Sequence, residues 1–152
     1  MFQRTWPARI DSVRDIMETV EQLMGRYGLA ERRVLHMGLV AEELAANIVN
    51  HAYGDMKAPP ADPLIVLTIT LERGVIRMVF QDFGGPFDPN AVPEPDLTAS
   101  VEDRTVGGLG IYFMRNLVDK VQYLREDNAN LWTFEVAAEA SPDDPSGPSP
   151  AT

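Results

Sequence analysis

The segment LIVLTITLERGVIRMVFQDFGG, Leu64 to Gly85, decides the fold. Two β-rich runs, Leu64 to Leu71 and Val75 to Phe80, are separated only by Glu72, Arg73 and Gly74, and that spacing predicts a hairpin. Just past the second run lies Asp82-Phe83-Gly84-Gly85-Pro86-Phe87. An aspartate at a strand end followed by glycines sets a carboxylate beside backbone that a flat ligand can approach closely. The same residues would equally make a tight turn stabilised by the aspartate.

Upstream of the hairpin the pattern is helical. Phe2, Arg4, Trp6 and Ala8 alternate, as in a short edge strand ending by Ile10. Asp11 reads as an N-cap, followed by an amphipathic stripe at Val13, Ile16, Met17, Val20, Leu23 and Met24, with Gly25 and Gly28 punctuating its end. A second helix is expected from about Ala30 to Asn50, burying Val34, Met37, Ala41, Leu44, Ala45 and Ile48. The loop after it, with Gly54, Pro59, Pro60 and Pro63, cannot continue a helix.

Downstream, Phe83 to Gly108 is rich in Gly, Pro and Asp and has the length of a lid or binding loop. Leu109 to Asp119 reads as a short helix. Val121 to Arg125 and Leu131 to Val136 then form a closing hairpin around Asp127 to Asn130. The Pro/Ser/Asp-rich stretch 138–152 has little to bury and reads as a flexible tail to a domain at 1–137. The element order predicts an α/β two-layer sandwich (α+β), with a mixed, mostly antiparallel sheet and helices packed on one face.

Composition narrows the function. The formal charge of -10, from 13 basic and 23 acidic residues, disfavours nucleic acid, whose phosphates need clustered Lys and Arg. Without cysteine there are no disulfides and no thiolate metal sites. No run approaches the roughly 18 apolar residues of a membrane helix, and Met1 to Pro7 has no signal-peptide character, so the chain reads as cytoplasmic.

Two further segments carry potential chemistry. In Glu42-Glu43-Leu44-Ala45-Ala46-Asn47, the Glu43 carboxylate and Asn47 carboxamide lie one helical turn apart. The first could orient or deprotonate a hydroxyl, and the second could offer an oxygen to Mg²⁺; a solvated surface pair is the plainer explanation. Val106-Gly107-Gly108-Leu109-Gly110-Ile111 leads into a helix, where backbone N–H groups can converge on an anion. It is neither a P-loop, since no Lys-Ser or Lys-Thr follows, nor a Rossmann fingerprint, since Phe113 stands where the third glycine belongs. Of the two histidines, His36 and His51, neither belongs to a metal-binding pair, and His51 reads as a packing or hydrogen-bonding residue. Arg104 could touch a phosphate or a partner, or simply be a solvated loop cation.

Taken in order, the segments resemble the N-box and the two glycine boxes of the GHKL (histidine kinase-like, Bergerat-fold) ATPase superfamily. The likeness is strongest to bacterial anti-sigma-factor serine/threonine kinases, the RsbW-like group. The pattern E-x-x-x-N-x-x-x-H-[AG]-Y is matched by Glu43, Asn47, His51, Ala52 and Tyr53. The first glycine box is matched at Asp82 to Pro89, and the second, with its helix, at Gly107 to Val121.

The resemblance implies that Asn47 ligates Mg²⁺ and that Glu43 is the base or orienter for the attacking hydroxyl. It also implies that Asp82 accepts a hydrogen bond from the adenine amino group of ATP, with Gly84 and Gly85 allowing close approach. Gly107, Gly108, Leu109 and Gly110 would line the phosphates, and Pro86 to Val106 would form the ATP lid. Two features depart from the pattern. Pro86 stands in place of a glycine, and Asn130-Leu131-Trp132-Thr133 lies where many relatives carry a Gly-Thr box.

The partners implied are a sigma factor and a STAS-type anti-sigma-factor antagonist, in transcription regulation without direct nucleic-acid contact. A homodimer would use the N-terminal strand and first helix. The alternative is a non-catalytic ATP-dependent anti-sigma or adaptor module. A two-component histidine kinase ranks below both, because the chain has no room for a phosphoacceptor helical domain.

Overall fold

The computed structural model describes residues 1–86 and 114–138. Five strands form one sheet: β1 (Phe2–Pro7), β2 (Leu64–Glu72), β3 (Val75–Asp82), β4 (Lys120–Glu126) and β5 (Ala129–Ala137). Their order across the sheet is β1-β2-β3-β5-β4, and every described pairing is antiparallel. Helices α1 (Ile10–Arg26) and α2 (Glu31–Asn47) supply the second layer. The expected two-layer α/β sandwich is what forms.

Alternation dictates the core. Ile65, Leu67 and Ile69 of β2, Ile76, Met78 and Phe80 of β3, and Trp132, Phe134 and Val136 of β5 point to one face and are buried. Ile16, Val20 and Leu23 of α1 and Met37, Ala41, Leu44 and Ala45 of α2 join them in a single cluster. β1 is the expected edge strand. Its Trp6 is buried and donates its indole N–H to Asp15 at 2.7 Å, which ties β1 to α1.

Several boundaries differ from the sequence expectation. α1 begins at Ile10, so Asp11 lies in the first turn, where its charge favours the helix dipole, and does not cap it. At the other end, Leu29 N–H bonds Met24 C=O and Gly28 N–H bonds Gly25 C=O, with Gly28 at φ 85°. These are the two bonds of a Schellman cap, and they need a residue at positive φ.

α2 does not run unchanged to Asn50. Ile48–Tyr53 continues it as a π-helix. The closing hairpin turns on Asp127 and Asn128 alone, at φ 51° and 62°, so Asn130 belongs to β5 and not to the turn. Of the helix expected at Leu109 to Asp119, residues 114–117 are helical and 118–119 are not, while 109–113 lie outside the described residues.

Candidate functional site

α2 and its π-helical extension cross the end of the sheet where β3 stops, and that crossing builds a cavity. It is lined by Leu44, Asn47, Ile48 and Ala52 from the helix and by Asp82, Asn130 and Trp132 from the sheet, and spans about 220 Å³. Much of that space is open to solvent, and the enclosed part has room for a group about the size of one water.

The glycine turn after β3 is held by the π-helix. Gly85 N–H donates to Ala52 C=O at 2.8 Å. A Cβ on Gly84 would lie 2.6 Å from the Ala52 carbonyl carbon and 2.7 Å from its Cβ, so only glycine fits. Gly84 thus meets the protein's own backbone closely, a requirement the sequence reading had placed at a ligand. Tyr53 adds a second tie. Its hydroxyl donates to Leu64 C=O at 2.6 Å and accepts from Phe83 N–H at 2.8 Å, tying the start of β2 to the end of β3 beside the site.

Asp82 is fully buried. Its Oδ1 accepts from Gly84 N–H at 2.9 Å and from Asn130 Nδ2 at 2.8 Å, whereas Oδ2 has no partner among the described residues. Burial pushes the Asp82 carboxyl above its ordinary 3.8, opposed by the bonds from Asn130 and Gly84 and by the nearby Arg125 guanidinium. Asn47, 8% exposed, likewise has a buried Nδ2 with no described partner. Buried polar groups left unpaired are costly and rare, so two on the walls of one cavity mark a place for a polar ligand.

The chemistry of those groups suits Mg-ATP. Asp82 Oδ2 is an acceptor in want of an N–H donor, such as an exocyclic amine, and Leu44, Ile48 and Trp132 give the cavity apolar walls. The unpartnered Asn47 Nδ2 is a donor in want of an acceptor such as a phosphate oxygen, and Oδ1 of the same amide is the atom that could serve a cation. Among the described residues no group of three or more His, Asp or Glu is placed to hold a metal ion by itself.

Glu43 stands apart. It lines a larger groove of about 870 Å³ between α1 and α2, with Ile10, Val13, Arg14, Met17, Glu42 and Ala46. Burial first, and Glu42 second, raise its carboxyl above the ordinary 4.5. The structure therefore brings Asn47, Asp82, Gly84 and Gly85 around the glycine turn and sets Glu43 on a neighbouring surface. Gly107, Gly108, Leu109, Gly110 and Arg104 lie outside the described residues, as does the expected lid beyond Pro86.

Sequence reasoning passed over Asn130, Tyr123 and Arg125. Asn130 is fully buried and pairs directly with Asp82 across β3 and β5. The absent Gly-Thr box pointed to its neighbourhood, without assigning it a task. His51, in the matched pattern, has its Nδ1 3.4 Å from Asp55 Oδ2 at the protein surface.

Comparison with known proteins identifies the family. The family model described as histidine kinase-like ATPase domain matches residues 6–135. A serine/threonine-protein kinase, BtrW of Bordetella bronchiseptica, is 29% identical over 120 residues, covering 79% of this chain and 82% of the relative. The serine-protein kinase RsbW of Halalkalibacterium halodurans is 26% identical over 131 residues, covering 84% and 76%. Among solved structures, the RsbU and RsbW domains of Rv1364c from Mycobacterium tuberculosis superpose with a TM-score of 0.59 at 12% identity. That match covers 90% of this chain and 32% of the solved one, and it speaks for the fold alone.

Proposed function

Because this chain belongs to the histidine kinase-like ATPase family, we propose that it binds Mg-ATP and acts as an anti-sigma-factor serine/threonine protein kinase. In this reading it phosphorylates a STAS-type antagonist in the cytoplasm and, in the alternative complex, sequesters a sigma factor. The observation that carries the nucleotide part is the pair of unpartnered buried atoms, Asp82 Oδ2 and Asn47 Nδ2, on one cavity. The kinase and partner assignments draw on the relatives named serine-protein kinase.

Asp82 would accept the adenine amino group and Asn47 would hold Mg²⁺, which when bound neutralises phosphate charge. Glu43 would orient the incoming Ser or Thr hydroxyl and take its proton as the γ-phosphoryl passes to that oxygen and ADP leaves. Gly84 and Gly85 would shape the base side, and Gly107, Gly108, Leu109 and Gly110 the phosphate side. Such catalysis is mainly positioning and charge stabilisation.

A second reading, a non-catalytic ATP-dependent anti-sigma or adaptor module, is favoured by one observation: Glu43 does not line the cavity that holds Asn47 and Asp82. Incubation with labelled Mg-ATP and a cognate antagonist separates the two. Transfer that Glu43→Ala abolishes supports the kinase, and nucleotide-dependent sigma-factor capture without transfer supports the module. Absence of both overturns both.

A further inference from the structure

Asn130 spends its whole hydrogen-bonding capacity around Asp82. Its Nδ2 donates to Asp82 Oδ1 and to Gly85 C=O, each at 2.8 Å. Its Oδ1 accepts from the Tyr123 hydroxyl in a short bond and from Arg125 at 3.1 Å. Two donors and two acceptor sites are all that a carboxamide has. Turned over, the amide would set its NH₂ against the Arg125 guanidinium, which carries only donors, so one orientation is fixed. Arg125 also donates to Gly84 C=O at 2.6 Å, bracing the glycine turn from β4.

The consequence falls on Asp82. With Gly84 N–H and Asn130 Nδ2 both directed at Oδ1, that oxygen is saturated and the carboxylate cannot rotate without losing two bonds. Oδ2 is left as the free acceptor of a residue that lines the cavity.

We propose that Asn130 is a positioning residue that sets base selectivity: by locking Asp82 it presents a lone acceptor that selects a 6-aminopurine nucleotide over a 6-oxopurine one. This rests on the nucleotide reading above and deepens it. A purine with an oxygen at position 6 would place an acceptor against an acceptor, which costs the hydrogen bond and leaves both groups desolvated. Without Asn130 the carboxylate, still an acceptor, is free to swing from the 6-position towards the N1–H that a 6-oxopurine carries, and the discrimination is lost.

The test is equilibrium binding of Mg-ATP and Mg-ITP, which differ at that position, to wild type, Asn130→Leu and Asn130→Asp. Wild type is expected to prefer ATP by about tenfold or more. In Asn130→Leu, and in Asn130→Asp should the first not fold, the two nucleotides approach parity. A purely structural role would weaken both nucleotides alike and leave the ratio unchanged, and that outcome overturns the assignment of Asn130 alone. Wild type that binds neither nucleotide overturns the nucleotide reading itself.

Discussion

Glu43 and Asn47 sit four residues apart on α2, yet Asn47 lines the cavity it shares with Asp82 while Glu43 lines the groove against α1. Four residues at 3.6 per turn leave an offset of about 40° around the helix axis. Here that offset is enough to give the two side chains different neighbours. If the chain is the kinase proposed above, a base on the α1 side would meet a phosphate from the cavity side, with the groove taking the protein substrate and the cavity the nucleotide.

This division separates chemistry from nucleotide binding. Glu43→Gln is expected to lower phosphotransfer by about 10²-fold or more, the scale of general-base catalysis, while leaving ATP affinity close to wild type. Because burial raises the Glu43 carboxyl above 4.5, wild-type transfer should climb with pH through that raised value, and the variant should lack that limb. Single-turnover rates with a cognate antagonist, measured across pH alongside ATP titrations, check both points.

Asp82 links the site to stability. Its folded pKa is raised, so the folded chain holds the proton more tightly than the unfolded one. The associated stability is fully present below the ordinary 3.8 and is lost as pH rises through the folded value. Asp82→Asn removes the ionisation, so its melting temperature at neutral pH should equal or exceed that of wild type. The gap between the two proteins should narrow as the pH falls towards 3.8. Thermal melts of the unliganded proteins across that range measure it, and a gap independent of pH contradicts it.

The glycine turn depends on contacts with the π-helix, and two substitutions probe them. Gly84→Ala forces a Cβ onto the Ala52 backbone, and Tyr53→Phe strips a hydroxyl that serves Leu64 and Phe83. Each is expected to cost about 1–3 kcal/mol, one by overpacking and the other by stripping a partner from the part-buried backbone groups of Leu64 and Phe83. Denaturant midpoints in the absence of nucleotide read both.

Much of this was legible in the chain. Leu64–Glu72 and Val75–Asp82 announce themselves by alternation, and Gly74 at φ 76° turns them as its type suggests. The amphipathic stripe of α1 was equally plain. The π-helix at Ile48–Tyr53 was not, because its register is held by partners distant in sequence: Gly85 on Ala52, and Leu64 and Phe83 on Tyr53. Asn130 was hidden for a related reason. Asparagine next to Asp127 and Asn128 reads as turn, and only the cross-strand pairing with Asp82 makes it a buried strand residue. The separation of Glu43 from Asn47 depends on where α1 lies, which periodicity within α2 cannot report.

The most direct test of the account is calorimetric titration of Mg-ATP into the wild-type chain and the Asp82→Asn and Asn47→Ala variants. The cavity predicts saturable binding at one site per chain. Asp82→Asn should weaken it about tenfold or more, because a donor then faces the adenine amino group. Asn47→Ala should remove the Mg²⁺-dependent part of the affinity. Wild type that does not bind, or binding that both variants leave untouched, would contradict the claim that Asp82 and Asn47 hold the nucleotide.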